Sequence, residues 1–244
     1  MQNIKIHVID VANSSQNYIW LIENQNNKST IVIDPTESAC VLDYCAQHKL
    51  DIEQIWLTHW HQDHTGGLSG LLEVHQVPVY GPMYEQQKIP MITHALKDGD
   101  NFNFADLDID VIYTPGHTLG HICYYISSID CAFVGDTLFA MGCGRIFEGT
   151  HQDMFNSLQR LSALPTHTSL YCAHEYSLSN AQFALTIEPN NLILQERAQH
   201  IEALRLLNQI TLPTTLSVEL ETNPFLRVES VELFSQIRTL KDHF

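Results

Sequence analysis

The stretch Ile55-Trp56-Leu57-Thr58-His59-Trp60-His61-Gln62-Asp63-His64-Thr65-Gly66-Gly67 decides how this chain is read. A short apolar run ends in the metal-capable side chains His59, His61, Asp63 and His64, and a glycine pair follows at once. Imidazole suits zinc, iron and similar first-row metals, and a carboxylate suits harder ions. Residues two apart in an extended segment point the same way, so His59 and His61 can grip one ion together. Asp63 and His64 fall where the strand should have ended and the backbone can turn, which aims them at a second ion. A polar turn rich in histidine by chance would not combine these imidazoles, a carboxylate and a strand-to-loop setting.

The flanking chain reads as alternating strands and helices. Ile4 to Ile9, Tyr18 to Ile22 and Ile31 to Ile33 are short apolar runs, hence strands, and Asp34-Pro35 stops the third. Thr36 to Lys49 carries Val41, Leu42 and Cys45 at helical spacing. Beyond the metal loop come a helix through Leu68, Leu71 and Leu72, a strand at Val77 to Gly81, and a turn at Lys97-Asp98-Gly99-Asp100. Leu107 to Tyr113 alternates apolar and acidic residues, as a half-buried strand does. Strands at Ile122 to Ile126, Ala132 to Val134 and Ser169 to Ala173 follow, with a helix over Asp153 to Leu164 that Thr150 caps. After that the pattern is helical. Ser179 and Gln182 fit a capping box, and Leu192 to Asn208 and Val228 to Leu240 read as further helices. The fold class is therefore layered α/β over residues 1–174, which carry the metal-capable stretch, with an α-helical part over 175–244.

Further strand ends bring His117, Asp136 and His174. In layered α/β folds such ends gather at one edge, and groups placed there converge. These residues serve two ions if one carboxylate bridges: His59, His61 and His117 on the first, Asp63, His64 and His174 on the second, and Asp136 between them. Pro115 and Gly116 fix a tight turn that presents His117. Asp34 also ends a strand and is expected to orient a ligand histidine through its other ring N–H. His121 is expected to support rather than ligate.

Composition excludes several classes. A chain of 244 residues, 44% hydrophobic, can bury a large core. Its formal net charge of −16 argues against nucleic acid as the main partner. No apolar run approaches the roughly 20 residues that cross a bilayer. The start, Met1-Gln2-Asn3-Ile4-Lys5-Ile6, lacks the basic and then apolar layout of a secretion signal. The six cysteines sit mostly among apolar neighbours with no zinc-ribbon spacing, so reduced thiols and a cytoplasmic location are expected.

Thr58-His59-Trp60-His61-Gln62-Asp63-His64, together with Thr114-Pro115-Gly116-His117-Thr118, Gly135-Asp136-Thr137 and Ala173-His174-Glu175-Tyr176, resembles the metallo-β-lactamase superfamily. That resemblance implies an αββα sandwich with a binuclear site at one edge. Gly142-Cys143-Gly144-Arg145-Ile146-Phe147-Glu148-Gly149-Thr150, Asn223-Pro224-Phe225-Leu226-Arg227 and the ending Arg238-Thr239-Leu240-Lys241-Asp242-His243-Phe244 are similar to the hydroxyacylglutathione hydrolase (glyoxalase II) family. The family adds a small helical domain to the sandwich and binds glutathione between the two. It implies Arg145, Phe147, Tyr176, Arg238 and Lys241 as glutathione contacts. Phe147 stands where some members have tyrosine, and its ring cannot donate a hydrogen bond. Arg238 and Lys241 are three apart on an expected helix, so they share one face. That spacing alone fits favourable placement at a negative helix end equally well, and the resemblance decides for binding.

The reaction this implies is hydrolysis of S-(2-hydroxyacyl)glutathione, such as S-D-lactoylglutathione, to a 2-hydroxy acid and glutathione, the second step of methylglyoxal detoxification. A metal-bridged hydroxide would be the nucleophile, with Asp63 and Asp136 holding the metals that generate it. The cofactors expected are two divalent ions per chain, zinc first, with iron or manganese as alternatives. The partner is the small-molecule thioester, with no nucleic acid, no membrane and a monomeric chain. Rivals on the same scaffold are a mononuclear iron persulfide dioxygenase and a lactonase. A non-enzymatic diiron electron-transfer or binding module is the rival of a different class.

Overall fold

The structure is a computed structural model that describes residues 3–244. The chain divides into two compact units, one running to Tyr113 and including Gly120–Ser128, the other made of Thr114–Leu119 and Ile129–Phe244.

In the first unit, β1 (Ile4–Asp10), β2 (Tyr18–Asn24) and β3 (Ser29–Ile33) pair antiparallel in sequence order. The helix α1 (Ser38–His48) then crosses over to β4 (Asp51–Trp56), which lies parallel to β3. The short α2 (Gln62–Thr65) and α3 (Leu68–Val74) lead on to β5 (Val79–Pro82) and β6 (His94–Leu96), which extend the parallel side. Parallel neighbours need a crossover connection rather than a tight turn, and the apolar faces of α1 and α3 supply what the sheet must bury. Val41 and Cys45 of α1 and Leu68 and Leu71 of α3 join Leu21, Val32, Ile55 and Leu57 in one core cluster.

The other face of that sheet meets an antiparallel meander, β7 (Asn101–Phe104), β8 (Leu107–Tyr113) and β9 (Ile122–Ile126). Trp56 packs 5.1 Å from both Phe102 and Tyr124, Tyr80 stacks 4.5 Å from Phe102, and the Tyr124 hydroxyl donates to the Leu57 carbonyl at 2.6 Å. On β8 the expected alternation holds: Leu107, Ile109 and Val111 are buried, while Asp108 and Asp110 are exposed. The strand β4 starts earlier than its apolar run, because exposed Asp51 and Glu53 flank buried Ile52 in a one-sided alternation. The strands β6 and β7 were not legible in the less regular stretch after Pro82.

In the second unit, β10 (Cys131–Gly135) is followed by a small hairpin, β11 (Leu138–Phe139) and β12 (Gly142–Cys143). The helix α4 (His151–Ser162) opens on a full capping box, with Thr150 Oγ1 accepting from the Asp153 N–H at 3.1 Å and Asp153 Oδ2 accepting from the Thr150 N–H at 2.8 Å. It buries Met154, Leu158 and Leu161, one stripe at helical spacing. The strand β13 (Ser169–Cys172) lies parallel to β10, and β13 pairs antiparallel with the two-residue β14 (Thr214–Thr215). Between them run α5 (Ser177–Ile187) and α6 (Leu192–Leu206), and α7 (Leu216–Thr222) and α8 (Val231–Asp242) close the chain.

Two expectations are corrected here. Ser179 and Gln182 do not cap α5, which starts two residues earlier behind Tyr176 with no side-chain cap. The short α7 was not anticipated; it positions Glu219, fully buried, and ends at Asn223. Glu219 accepts from the Met141 N–H at 2.8 Å, from Thr214 at 2.7 Å and from Arg197, so its buried charge is satisfied. Asn223 donates to the carbonyls of Phe139 at 3.1 Å and Gly142 at 3.0 Å. Together they pin the β11–β12 hairpin, whose flanks carry Asp136 and Arg145. No helix among the described residues is long and apolar enough to cross a membrane.

Candidate functional site

In the first unit, β4 ends at Trp56 and the chain stays out of regular structure until α2, so His59 and His61 project from a loop held in place by β4. His59 Nε2 stands 3.0 Å from His61 Nδ1, the convergence expected of two donors to one ion. Asp63 and His64 lie on the single turn of α2, with Asp63 Oδ2 3.8 Å from His64 Nε2.

Asp34 orients both halves of this set. It sits at the end of β3 with φ of 49°, a left-handed conformation that a non-glycine residue keeps only when its surroundings demand it. Its Oδ1 accepts the Thr58 N–H at 2.8 Å, and its Oδ2 accepts the Thr58 hydroxyl at 2.7 Å and the His64 Nδ1–H at 3.0 Å. With its proton given to Asp34, Thr58 Oγ1 can only accept, and it takes the Nδ1–H of His59 at 3.0 Å. Both rings are thereby held with Nε2 as the lone-pair nitrogen, the state a metal requires. Asn17 and Thr36 fix Asp63: Thr36 donates to its carbonyl at 2.7 Å, and Asn17 Nδ2 reaches its Oδ2 at 3.3 Å. His121, fully buried, stacks 5.0 Å from His59.

In the second unit, Asp136 directly follows β10 and His174 follows β13. Asp136 turns one oxygen to each of two histidines: Oδ2 is 3.3 Å from His117 Nε2, and Oδ1 is 3.2 Å from His174 Nε2. His117 donates its Nδ1–H to the Arg145 carbonyl at 2.7 Å, which again leaves Nε2 for a metal. His174 stacks on Tyr176 at 4.7 Å with rings 2° from parallel. Gly144 is obligatory, since a Cβ there would stand 1.9 Å from the Asp136 carbonyl oxygen. Among the described residues, His59, His61, Asp63, His64, His117, Asp136 and His174 all fall in groups able to hold a metal ion. Donors on a tetrahedral zinc about 2.0–2.1 Å away stand about 3.3 Å apart, so the spacings of Asp136, His117 and His174 fit a bound ion.

The expected glutathione contacts differ in availability. The Arg145 side chain is half exposed and bonded to Asp242. Phe147 is exposed with its ring edge-on to His117 at 5.2 Å, and its N–H donates to the His117 carbonyl at 3.2 Å. Lys241 Nζ donates to the Ser179 carbonyl at 3.3 Å and lies 5.1 Å from Phe183 and 5.0 Å from Phe244. Burial, with the Arg238 charge adding to it, brings the Lys241 ammonium down from the usual lysine range to about 8. Arg238 is buried and bonded to Cys143 and Asp242. Sequence reasoning missed Asn17, Thr36, Thr58 and Asp242. Only Thr58 lies inside the central motif; nothing in the local pattern marks the others.

The chain is similar to known proteins over its whole length. A family profile described as the metallo-beta-lactamase superfamily matches residues 13–174, and one described as hydroxyacylglutathione hydrolase C-terminus matches 175–244. The chain is 43% identical to a hydroxyacylglutathione hydrolase of Maricaulis maris, over 94% of this chain and 95% of that one. It is 45% identical to one of Pseudomonas entomophila, over 94% and 89%. Among solved structures, ETHE1 from Myxococcus xanthus superposes with a TM-score of 0.72 at 25% identity, over 96% of this chain and 90% of that one.

Proposed function

The chain belongs to the hydroxyacylglutathione hydrolase family of the metallo-β-lactamase superfamily, and we propose that it hydrolyses S-(2-hydroxyacyl)glutathione, such as S-D-lactoylglutathione, to a 2-hydroxy acid and glutathione. The observation that carries this reading is the identity of 43% to a protein of that name over 94% of the chain, together with the metal-capable residues at the strand ends.

We read residues 1–174 as the catalytic domain and 175–244 as the substrate-binding domain, in line with the two profile matches. Two divalent ions per chain are proposed: His59, His61 and His117 would hold one, Asp63, His64 and His174 the other, and Asp136 would serve both. Zinc suits this imidazole and carboxylate set first, with iron or manganese as alternatives. When bound, the ions supply Lewis acidity toward the thioester carbonyl and lower the pKa of water toward neutrality. The chain's own part is orientation. Asp34 and Thr58 keep Nε2 of His59 and His64 deprotonated, the Arg145 carbonyl does so for His117, and Asn17 and Thr36 hold Asp63 so that its carboxylate can orient the attacking water. The leaving thiol has an ordinary pKa of about 8.5, so it departs as thiolate without a strong general acid. Arg145, Tyr176, Arg238 and Lys241 are the groups read as binding glutathione, with Phe147 offering an apolar ring edge beside His117.

The cysteines of the described residues are all free thiols, which supports a reducing compartment, the cytoplasm. The working form is taken as a monomer. The test is loss of thioester absorbance with S-D-lactoylglutathione and purified metal-replete protein. Steady turnover supports the reading; none under those conditions refutes it and brings the persulfide dioxygenase and lactonase activities forward.

A further inference from the structure

At the C-terminal end of α8, Asp242 joins two arginines and has no part in the chemistry described so far. Arg238 is only 4% exposed, so little outside the protein can reach it. Its Nη1 donates to the Cys143 carbonyl at 2.9 Å, and its plane lies 5.3 Å from the Phe225 ring. Its Nη2 donates to Asp242 Oδ1 at 3.0 Å. The same Asp242 oxygen accepts from Arg145 Nε at 3.1 Å, and the Asp242 carbonyl accepts from Arg145 Nη2 at 3.2 Å. One residue therefore fixes two guanidinium groups, one buried and one 54% exposed.

The position of Asp242 is unfavourable by itself. It is the last residue of α8, where the helix dipole is negative and a carboxylate is disfavoured. Only its two cationic partners account for it. Arg145 is bound along its Nε–Nη2 edge, so the opposite edge, with Nη1, is the one turned away from the helix end. An Arg side chain that is already held loses less freedom when an anion arrives than one that swings in solvent.

Resting on the glutathione-thioester reading, we propose that Asp242 is a positioning residue for substrate recognition: it docks Arg145 on the end of α8 so that its outer edge meets an anionic group of the substrate. Arg238 is the buried cation that fixes the Asp242 carboxylate. Asp242 carries a charge of the same sign as the substrate. That repulsion is screened, because the carboxylate is partly open to solvent, whereas the orientation it imposes is not screened.

The experiment measures kcat and KM for S-D-lactoylglutathione with Asp242→Ala, Asp242→Asn, Arg145→Ala and the Arg145→Ala/Asp242→Ala double variant. Asp242→Ala should raise KM about 3–10-fold, the cost of ordering one long side chain, with kcat little changed. Asp242→Asn keeps an oxygen acceptor and should restore most of the wild-type KM. In the double variant KM should equal that of Arg145→Ala alone, because Asp242 acts through Arg145. A merely structural role would lower the melting temperature without this split or this non-additivity. An unchanged or lowered KM in Asp242→Ala overturns the proposal, as does an Asn variant as impaired as the Ala variant or additive effects in the double variant. Where Asp242→Ala does not fold, the Asn variant and Arg145→Ala decide: the proposal then requires a raised KM in Arg145→Ala and a near-normal one in Asp242→Asn. Wild-type protein inactive on the thioester overturns the functional reading instead, a result visible before any variant is made.

Discussion

The carbonyl of Arg145 accepts the Nδ1–H of His117 at 2.7 Å. One residue thus orients a metal-capable histidine through its main chain and presents a half-exposed guanidinium on its side chain. The segment that holds it is fixed from behind by Asn223 and Glu219, and its approach to Asp136 is close enough that position 144 must be glycine. The Arg145 guanidinium and the orientation of His117 are therefore set by the same short run of backbone.

Asp34 should matter as much as a ligand, although it is not one. Replacing it by alanine takes the acceptor from His64 Nδ1 and from the Thr58 hydroxyl, so both His64 and His59 lose their fixed tautomer. A loss of about 10–100-fold in metal affinity is expected. Competition with a chelator of known affinity measures it, and wild-type metal retention in Asp34→Ala would show that Asp34 does not orient these rings.

Lys241 gives the account a pH signature. Its ammonium titrates near 8, lowered mainly by burial, so it is charged below that pH and loses its charge above it. KM for the anionic thioester should be flat below about pH 7 and climb as pH rises past 8, with kcat spared. Lys241→Arg, whose charge persists, should keep KM flat over the same range. Lys241→Ala should have a raised KM at every pH and no further climb. A wild-type KM that does not change between pH 7 and 9 would remove Lys241 from the binding site.

Acid stability should depend on His7, remote from the metal residues. His7 is buried on β1, where its Nε2 donates to Glu23 Oε2 at 2.7 Å and the Tyr44 hydroxyl donates to its Nδ1 at 3.0 Å. Burial lowers its pKa below the usual histidine value of 6.5, with Lys5 and His48 acting in the same direction and Glu23 against it. Below about pH 6.5 the unfolded chain binds the proton first, so stability falls with pH through the folded value. Urea midpoints at pH 7 and pH 5 should drop further for the wild type than for His7→Gln. Equal drops would place the acid sensitivity elsewhere.

Much of this was legible before any coordinates. His59, His61, Asp63 and His64 fall within six consecutive positions, and Asp136 and His174 each close a short buried strand, so period and strand ends were enough to select them. Asp34 was found for the same reason. The partners Asn17 and Thr36 were not, because an ordinary asparagine or threonine in a loop carries no local sign of what it will face. Arg238 and Lys241 looked alike on spacing. Burial separates them: the Arg238 guanidinium is 4% exposed, while the Lys241 ammonium lies in a half-open apolar setting with a lowered pKa. The small α7 was missed because its Glu219 is a buried carboxylate, which hydrophobic periodicity reads as a break.

The most direct test of the account titrates metal-free protein with zinc while following both bound metal and S-D-lactoylglutathione hydrolysis, with Asp136→Ala alongside. Activity in the wild type should rise until about two ions are bound per chain, as a two-metal site requires. Asp136→Ala should bind less and lose at least about a hundredfold in kcat, the equivalent of roughly 2.7 kcal/mol. Full activity in metal-free protein, or an Asp136→Ala variant as active as the wild type, would contradict the bridged two-metal centre.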